Sequence, residues 1–200
     1  MQLANTRFMD GVQLERATVT LPNLITLGRF FLVPFVVYAL LTGANTWALA
    51  GFMIAGVSDG VDGYIARRFD QRSELGAYLD PLADKLLLVS VFVVLGLKGD
   101  LPLWLVVAAV SRDVIIMGAV MLSTVMGNPV EMKPLLVSKA NTAAQIVLAA
   151  LVLAKLALGL DFGLFLDVVT LGTGLLTAAS AAAYLVTWLR HMNGNAQIED

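Results

Sequence analysis

The sequence predicts an all-α integral membrane protein with six transmembrane helices and a short amphipathic helix on the membrane surface at its N-terminus. The first observation is composition: of 200 residues, 58% are hydrophobic and 14% are charged, whereas soluble domains carry about 25% charged residues. The second is that apolar stretches of about 20 residues, long enough to cross a bilayer, can be placed six times. The third is that turn-forming residues separate most of these stretches.

The six predicted spans follow one another without a linker or an internal repeat, so a single domain over residues 1–200 is expected. Residues 1–20 mix charged and apolar side chains and are predicted to lie along the membrane surface; a disordered tail is the alternative. Gly-Ala-Asn, Lys-Gly-Asp-Leu-Pro and Gly-Asn-Pro sequences mark breaks after the first, third and fourth spans. The spans cover about residues 22–42, 47–68, 76–97, 102–126, 134–158 and 164–189.

Lysine and arginine residues fall mostly on one side of this predicted bundle. The other side keeps Lys98 and Lys155. Because positive residues collect on the cytoplasmic side, both termini are predicted to be cytoplasmic, in a bacterial-type inner membrane. No basic tail or basic helix indicates a nucleic-acid partner. The positive side carries Arg7, Arg16, Arg67, Arg68, Arg72, Lys133, Lys139 and Arg190.

Four aspartates lie at helical spacings in the second and third spans. Asp59 and Asp62 belong to the second span, and Asp80 and Asp84 belong to the third. Residues three or four apart share one face of a helix, and a rise of about 1.5 Å per residue places the two pairs at similar depths. Ionised aspartates near a bilayer need compensation. Two such pairs predict a site for two divalent cations, and ligands that are all oxygen favour Mg²⁺ or Mn²⁺ over zinc.

The same residues allow other interpretations. The aspartates could form internal ion pairs with Arg29, Lys85 and Arg112, although four acids outnumber these three bases. Gly63 leaves room for a ligand, but a lone glycine is as easily explained by close helix packing. Arg67 lies near the predicted cytoplasmic mouth, where a guanidinium can pair with phosphate oxygens. A positive residue at the membrane interface is the alternative for Arg67.

This motif resembles the signature of the CDP-alcohol phosphatidyltransferase family, D-x2-D-G-x2-A-R-x8-G-x3-D-x3-D. The six-helix prediction agrees with that family's fold. Within the family, the chain is most similar to the eukaryotic-type, CMP-forming cardiolipin synthases, in the motif itself, at 111–114 and at 138–142. Every fixed position of the signature is present: Asp59, Asp62, Gly63, Ala66, Arg67, Gly76, Asp80 and Asp84.

The resemblance implies that the protein transfers a phosphatidyl group from CDP-diacylglycerol to phosphatidylglycerol, giving cardiolipin and CMP. It also implies two Mg²⁺ or Mn²⁺ ions, a membrane location and a homodimer. Asp59, Asp62, Asp80 and Asp84 would hold the ions, with Asp84 also acting as the general base. Candidates for the other contacts are Gly63, Arg67 and Ser73 for the nucleotide phosphates, and Arg112, Lys133 and Lys139 for the phosphate of the acceptor.

Three alternative functions remain open at this point. A phosphatidylglycerophosphate synthase would use glycerol 3-phosphate, but such enzymes usually carry Ala-Arg-Glu where this chain has Ser-Arg-Asp at 111–113, with a further arginine later in the span. An intramembrane prenyltransferase would explain Asp80 and Asp84 but not their partners on the second span. A cation transporter would need acids distributed across the bilayer, whereas these acids lie in one layer.

Overall fold

In the computed structural model, residues 21–69, 74–125 and 136–195 are described, with side chains over 28–60, 85–119 and 136–189. These residues form six α-helices and no strand, which confirms the all-helical prediction. Their bounds lie within about two residues of the predicted spans, except that the last helix continues to Asn195. The helices are α1 Leu21–Leu41, α2 Asn45–Phe69, α3 Glu74–Lys98, α4 Leu103–Val125, α5 Leu136–Leu158 and α6 Gly163–Asn195.

Tight glycine turns end three of the helices at the same end of the bundle. Gly43, Gly99 and Gly159 have positive φ angles of 76°, 79° and 66°, a conformation that glycine adopts without a Cβ penalty. After α1 the amide of Ala44 donates to the carbonyl of Ala39 at 2.8 Å. This bond belongs to the Schellman arrangement that commonly ends a helix at glycine. The predicted turn residues after the first and third spans therefore act as helix stops, and Gly159 has the same role after α5.

The described helices pack with α1 against both α2 and α3, α5 against both α2 and α6, and α4 against α6. From their short connection, α2 and α3 are expected to lie side by side. The halves of α2 and α3 nearest that connection lie outside the residues with described side chains, so this expectation stays a prediction; in the described residues α1 packs against both helices. The buried core draws on α1 to α5, with fully buried side chains such as Val36, Ala48, Leu95, Leu105 and Leu148.

Large apolar side chains point outward on every helix, among them Phe31, Trp47, Leu97 and Leu164. The buried set, in contrast, includes several polar residues of α4, α5 and α6. Contiguous apolar surface of this extent marks a membrane or partner interface rather than a water-facing surface. Two described helical segments are long and apolar enough to cross a bilayer, Leu136–Leu158 and Gly163–Leu189.

We predict that Gly51→Ala destabilises the contact between α1 and α2. A Cβ at residue 51 would lie 2.7 Å from Cγ2 of Val36, and Val36 is fully buried with a stiff, β-branched side chain. Overpacking of this kind costs about 1–3 kcal/mol. Gly56→Ala on the same helix is the matched control, because a Cβ there meets nothing within 4 Å. Thermal unfolding in detergent micelles measures the difference, and equal midpoints for the two variants would contradict the packing.

Candidate active site

The signature motif spans the C-terminal half of α2 and the N-terminal half of α3. Of its four aspartates, Asp59 is the one with a described side chain. The predicted site residues whose side chains lie outside the described set are Asp62, Gly63, Arg67, Ser73, Asp80, Asp84 and Lys133.

Asp59 forms an ion pair with Arg29 that joins α1 to α2. Nη1 of Arg29 donates to Oδ1 of Asp59 at 2.9 Å. The Arg29 side chain is 1% exposed, while 47% of the Asp59 side chain is accessible. A guanidinium at this depth needs a nearby anion, because burial of an uncompensated charge is costly. The internal ion-pair interpretation is therefore correct for Asp59 and Arg29, and the accessible part of the carboxylate still faces a cavity.

This cavity has a volume of about 500 Å³ and lies between α2, α3, α4 and α5. Its polar lining groups are Asp59, Lys85, Asp113, Thr142 and Gln145. The remaining lining is largely apolar, including side chains of α2, α3 and α5. A volume of roughly 300–1,000 Å³ with a mainly apolar wall and a few placed polar groups is typical of small-molecule sites. The first aspartate of the motif thus opens onto a space of ligand size.

Opposite α2, a cluster of three charges borders the cavity. Nζ of Lys85 lies 2.9 Å from Oδ2 of Asp113, and Nη1 of Arg112 lies 2.6 Å from Oδ1 of the same carboxylate. Asp113 is therefore shared by two cations, one from α3 and one from α4. Two positive charges and one negative charge leave the cluster with a formal charge of +1. The contacts described for Lys85 and Arg112 are to Asp113, while the side chains of Asp62, Asp80 and Asp84 lie outside the described set.

Arg112 connects three helices from within the bundle. Its side chain is 4% exposed. Its Nε and Nη2 donate to Oγ of Ser180 at 3.1 and 2.7 Å, and Nη2 also donates to the hydroxyl of Ser138. The guanidinium carbon lies 5.6 Å from the ring centroid of Tyr184, within the range of a cation–π contact. These contacts make Arg112 a clamp between α4, α5 and α6.

The clamp bears on the expected role of Arg112 as an acceptor-phosphate ligand. Four of its five N–H donors have described acceptors, which leaves one N–H of Nη1 for a phosphate. The role stays a prediction, as it does for Lys139, which is exposed on the first turns of α5. Lys85 is better placed for an anion, because it lines the cavity and its side chain is 42% exposed.

Two groups of the cavity wall, Asp113 and Gln145, are not singled out by the motif. The available signal was the presence of polar residues in otherwise apolar spans, which are rare and commonly functional in membrane helices. Asn141 and Gln145 stand four residues apart on α5 and are both buried. Their spacing puts them on one face of the helix, but only the packing of α5 against α2 and α6 shows which of them reaches the cavity.

The part of the chain with described side chains contains no group of three or more acidic or histidine residues that could hold a metal. The donor chemistry present still fits a hard cation. One oxygen of Asp59 is bonded to Arg29, and a carboxylate that is half accessible at a cavity can offer its other oxygen to Mg²⁺ or Mn²⁺. The other three aspartates of the motif lie on the helical backbone of α2 and α3.

Comparison with known proteins gives the family. The profile for CDP-alcohol phosphatidyltransferases matches residues 19–189. A probable cardiolipin synthase (CMP-forming) of Drosophila melanogaster is 34% identical, over 89% of this chain and 61% of that protein. The human cardiolipin synthase (CMP-forming) is also 34% identical, over 82% of this chain and 60% of its own length. The chain therefore belongs to the CDP-alcohol phosphatidyltransferase family, as the motif predicted.

A bacterial relative is similar over a shorter region. The putative cardiolipin synthase of Mycobacterium tuberculosis is 41% identical over 55% of this chain and 53% of that protein. The chain thus spans between 53% and 61% of the length of these three relatives.

We predict that Arg112→Met destabilises the fold far more than Lys85→Met, although both variants remove one cation from Asp113. Removing one partner of a buried ion pair costs about 3–5 kcal/mol, whereas a half-exposed pair contributes about 0–1 kcal/mol. Arg112 also holds Ser138 and Ser180, contacts that Lys85 lacks. Denaturant or thermal unfolding in micelles provides the measurement. Similar losses of stability in the two variants would show that Arg112 is not a clamp.

Proposed function

We propose that this protein transfers the phosphatidyl group of CDP-diacylglycerol to phosphatidylglycerol, forming cardiolipin and CMP. The observation that carries the proposal is the complete family signature on α2 and α3, whose first aspartate faces a cavity of ligand size. Relatives that share most of the chain are named cardiolipin synthases (CMP-forming). The charge of the Lys85, Asp113 and Arg112 cluster also suits an acceptor with a single negative charge.

Asp59, Asp62, Asp80 and Asp84 are proposed to hold two Mg²⁺ or Mn²⁺ ions. The support is the all-oxygen donor set and its position on two consecutive helices. The chemistry that such ions supply is charge neutralisation at the pyrophosphate and at the departing CMP. Arg29 has a positioning role in this scheme, because its bond to Oδ1 fixes the orientation of the Asp59 carboxylate.

The reaction forms one phosphorus–oxygen bond and breaks another. The primary hydroxyl of the phosphatidylglycerol head group attacks the phosphorus that bears diacylglycerol. The bond from that phosphorus to CMP breaks, and CMP leaves with the bonding electrons. The hydroxyl proton passes to the carboxylate of Asp84, the proposed general base.

The remaining expected contacts complete the proposal. Gly63, Arg67 and Ser73 would receive the nucleotide phosphates, with the fixed guanidinium fork of Arg67 suited to phosphate oxygens. Lys133, Lys139 and Arg112 are the acceptor-side candidates from the sequence. The described contacts add Lys85 as the cation that lines the cavity.

All six helices are proposed to cross the membrane as a single domain, with residues 1–20 forming a surface helix. The outward apolar side chains on every helix support this arrangement. The positive side of the sequence places both termini and the active site toward the cytoplasm of a bacterial-type inner membrane. A homodimer is proposed from the family resemblance alone.

The decisive test of the substrate is an acceptor panel. Purified protein in micelles should release CMP from CDP-diacylglycerol when phosphatidylglycerol is added, and the radiolabelled lipid product should be cardiolipin. Glycerol 3-phosphate and free glycerol serve as the other acceptors. Exclusive use of glycerol 3-phosphate would instead identify a phosphatidylglycerophosphate synthase, and absence of CMP release with every acceptor would refute the transferase proposal.

Divalent ions should be required for this reaction and should bind to the motif aspartates. Treatment with EDTA is expected to abolish CMP release, and Mg²⁺ or Mn²⁺ to restore it, because the carboxylates need cations to bind a pyrophosphate. Mn²⁺ binding followed by electron paramagnetic resonance gives a readout independent of turnover. Asp59→Asn should weaken this binding, whereas Asp161→Asn, on the connection between α5 and α6, should not. Activity that survives EDTA would contradict the metal site.

A further inference from the structure

Gln145 presents an unusual combination of burial and missing hydrogen bonds. Its side chain lies on α5, is 4% exposed and lines the cavity. The buried Nε2 has no hydrogen-bond partner among the described residues. Buried amide groups are nearly always paired, because an unpaired donor loses its water without compensation. A ligand oxygen in the cavity would supply the missing partner.

Among the polar groups of this wall, Gln145 is the one whose buried donor nitrogen has no partner in the described part of the chain. Lys85 and Asp113 pair with each other. The Thr142 hydroxyl donates to the carbonyl of Ser138 at 3.2 Å. An amide carries two N–H donors at one nitrogen, so Gln145 can donate to a neutral oxygen of a ligand in the cavity, whereas the charged Lys85 is suited to an anionic oxygen.

The charge across the cavity indicates which kind of ligand reaches Gln145. The cluster of Lys85, Asp113 and Arg112 has a formal charge of +1 and complements one phosphodiester. Asp59, on the opposite side, marks the position of the proposed reacting centre. A head group between the two would have its phosphodiester at Lys85 and its attacking hydroxyl toward the aspartates. A glycerol head group then has one polar group left, the secondary hydroxyl.

We propose that Gln145 is a specificity determinant whose side-chain amide donates a hydrogen bond to the secondary hydroxyl of the acceptor's glycerol head group. The inference rests on the proposed function and assigns part of its acceptor site. A site built to hydrogen-bond a substrate hydroxyl rejects the analogue that lacks it, because the protein group is left unpaired. Gln145 would therefore select a phosphatidyl glycerol over a phosphatidyl alcohol of similar size.

The experiment compares dioleoylphosphatidylglycerol with dioleoylphosphatidyl-1,3-propanediol, which keeps the attacking hydroxyl and lacks the secondary one. CMP release gives kcat/KM for each acceptor with the wild-type protein and with Gln145→Leu. The wild type should prefer phosphatidylglycerol by about tenfold or more, and the variant should treat both acceptors within about twofold. In the variant, kcat/KM should decrease for phosphatidylglycerol and stay unchanged for the propanediol lipid. Gln145→Met, with an unbranched chain, replaces Gln145→Leu if the latter does not fold.

Asn141→Leu is the matched control. Asn141 is a buried amide one turn earlier on α5, and its Nδ2 also lacks a partner among the described residues, but it does not line the cavity. Its Oδ1 accepts from the Thr177 hydroxyl at 2.8 Å. The control should lower thermal stability and keep the acceptor preference. Equal use of the two acceptors by the wild type, or an equal loss on both in Gln145→Leu, would overturn the proposal.

Lipid binding without donor separates this inference from the proposed reaction. Each acceptor lipid is added to the protein in micelles, and the shift in unfolding temperature is measured. If the wild type releases no CMP, the reaction proposal fails. A larger shift with phosphatidylglycerol than with the propanediol lipid, lost in Gln145→Leu, would still support recognition by Gln145. Equal shifts in unfolding temperature with the two lipids in the wild type would refute recognition by Gln145.

Discussion

The ion pair between Arg29 and Asp59 is the contact on which the arrangement of the site depends. It joins α1 to α2 through a guanidinium that is almost completely buried. A charge in such surroundings is tolerated only with a counter-charge and hydrogen bonds. Asp59 therefore has two functions at once: it compensates Arg29 on one side and faces the cavity on the other. A carboxylate held in this way is already oriented before any ligand arrives.

The Arg112 clamp is the counterpart of this pair on the other side of the cavity. It ties α4 to α5 and α6 and leaves Asp113 to orient Lys85 from α3. The two polar contacts therefore share a design in which a deeply buried arginine holds an aspartate at the cavity wall. In each case the buried arginine joins helices, and the more accessible aspartate lines the cavity. Rigid support of this kind is what positions reacting groups within the tolerance that catalysis needs.

Much of this arrangement could be predicted from the sequence, and the reasons are local. Helix bounds were predictable because Gly43, Gly99 and Gly159 stop helices by their backbone conformation. The motif was predictable because helical spacing alone brings Asp59 and Asp62 to one face. The sharing of Asp113 by two cations was not predictable from the sequence, because it depends on how α3 and α4 pack. Nor does spacing reveal that α1 packs against both α2 and α3 in the described residues, because many packings satisfy the same apolar pattern.

The glycine turns after α1, α3 and α5 have a mechanical consequence for the whole bundle. Each joins two helices through a few residues whose backbone is hydrogen-bonded to the preceding helix, as with Ala44 and Asp100. Two helices joined by such a turn can separate only by rotating about the turn. The displacement of one helix from the other therefore grows with distance from the turn. The cavity lies away from these turns, along the lengths of α2, α3, α4 and α5, so a small rotation at a turn changes its width by more than it moves the residues beside the turn. A lipid with two acyl chains could then enter the cavity with little strain at the end of the bundle that carries the glycine turns.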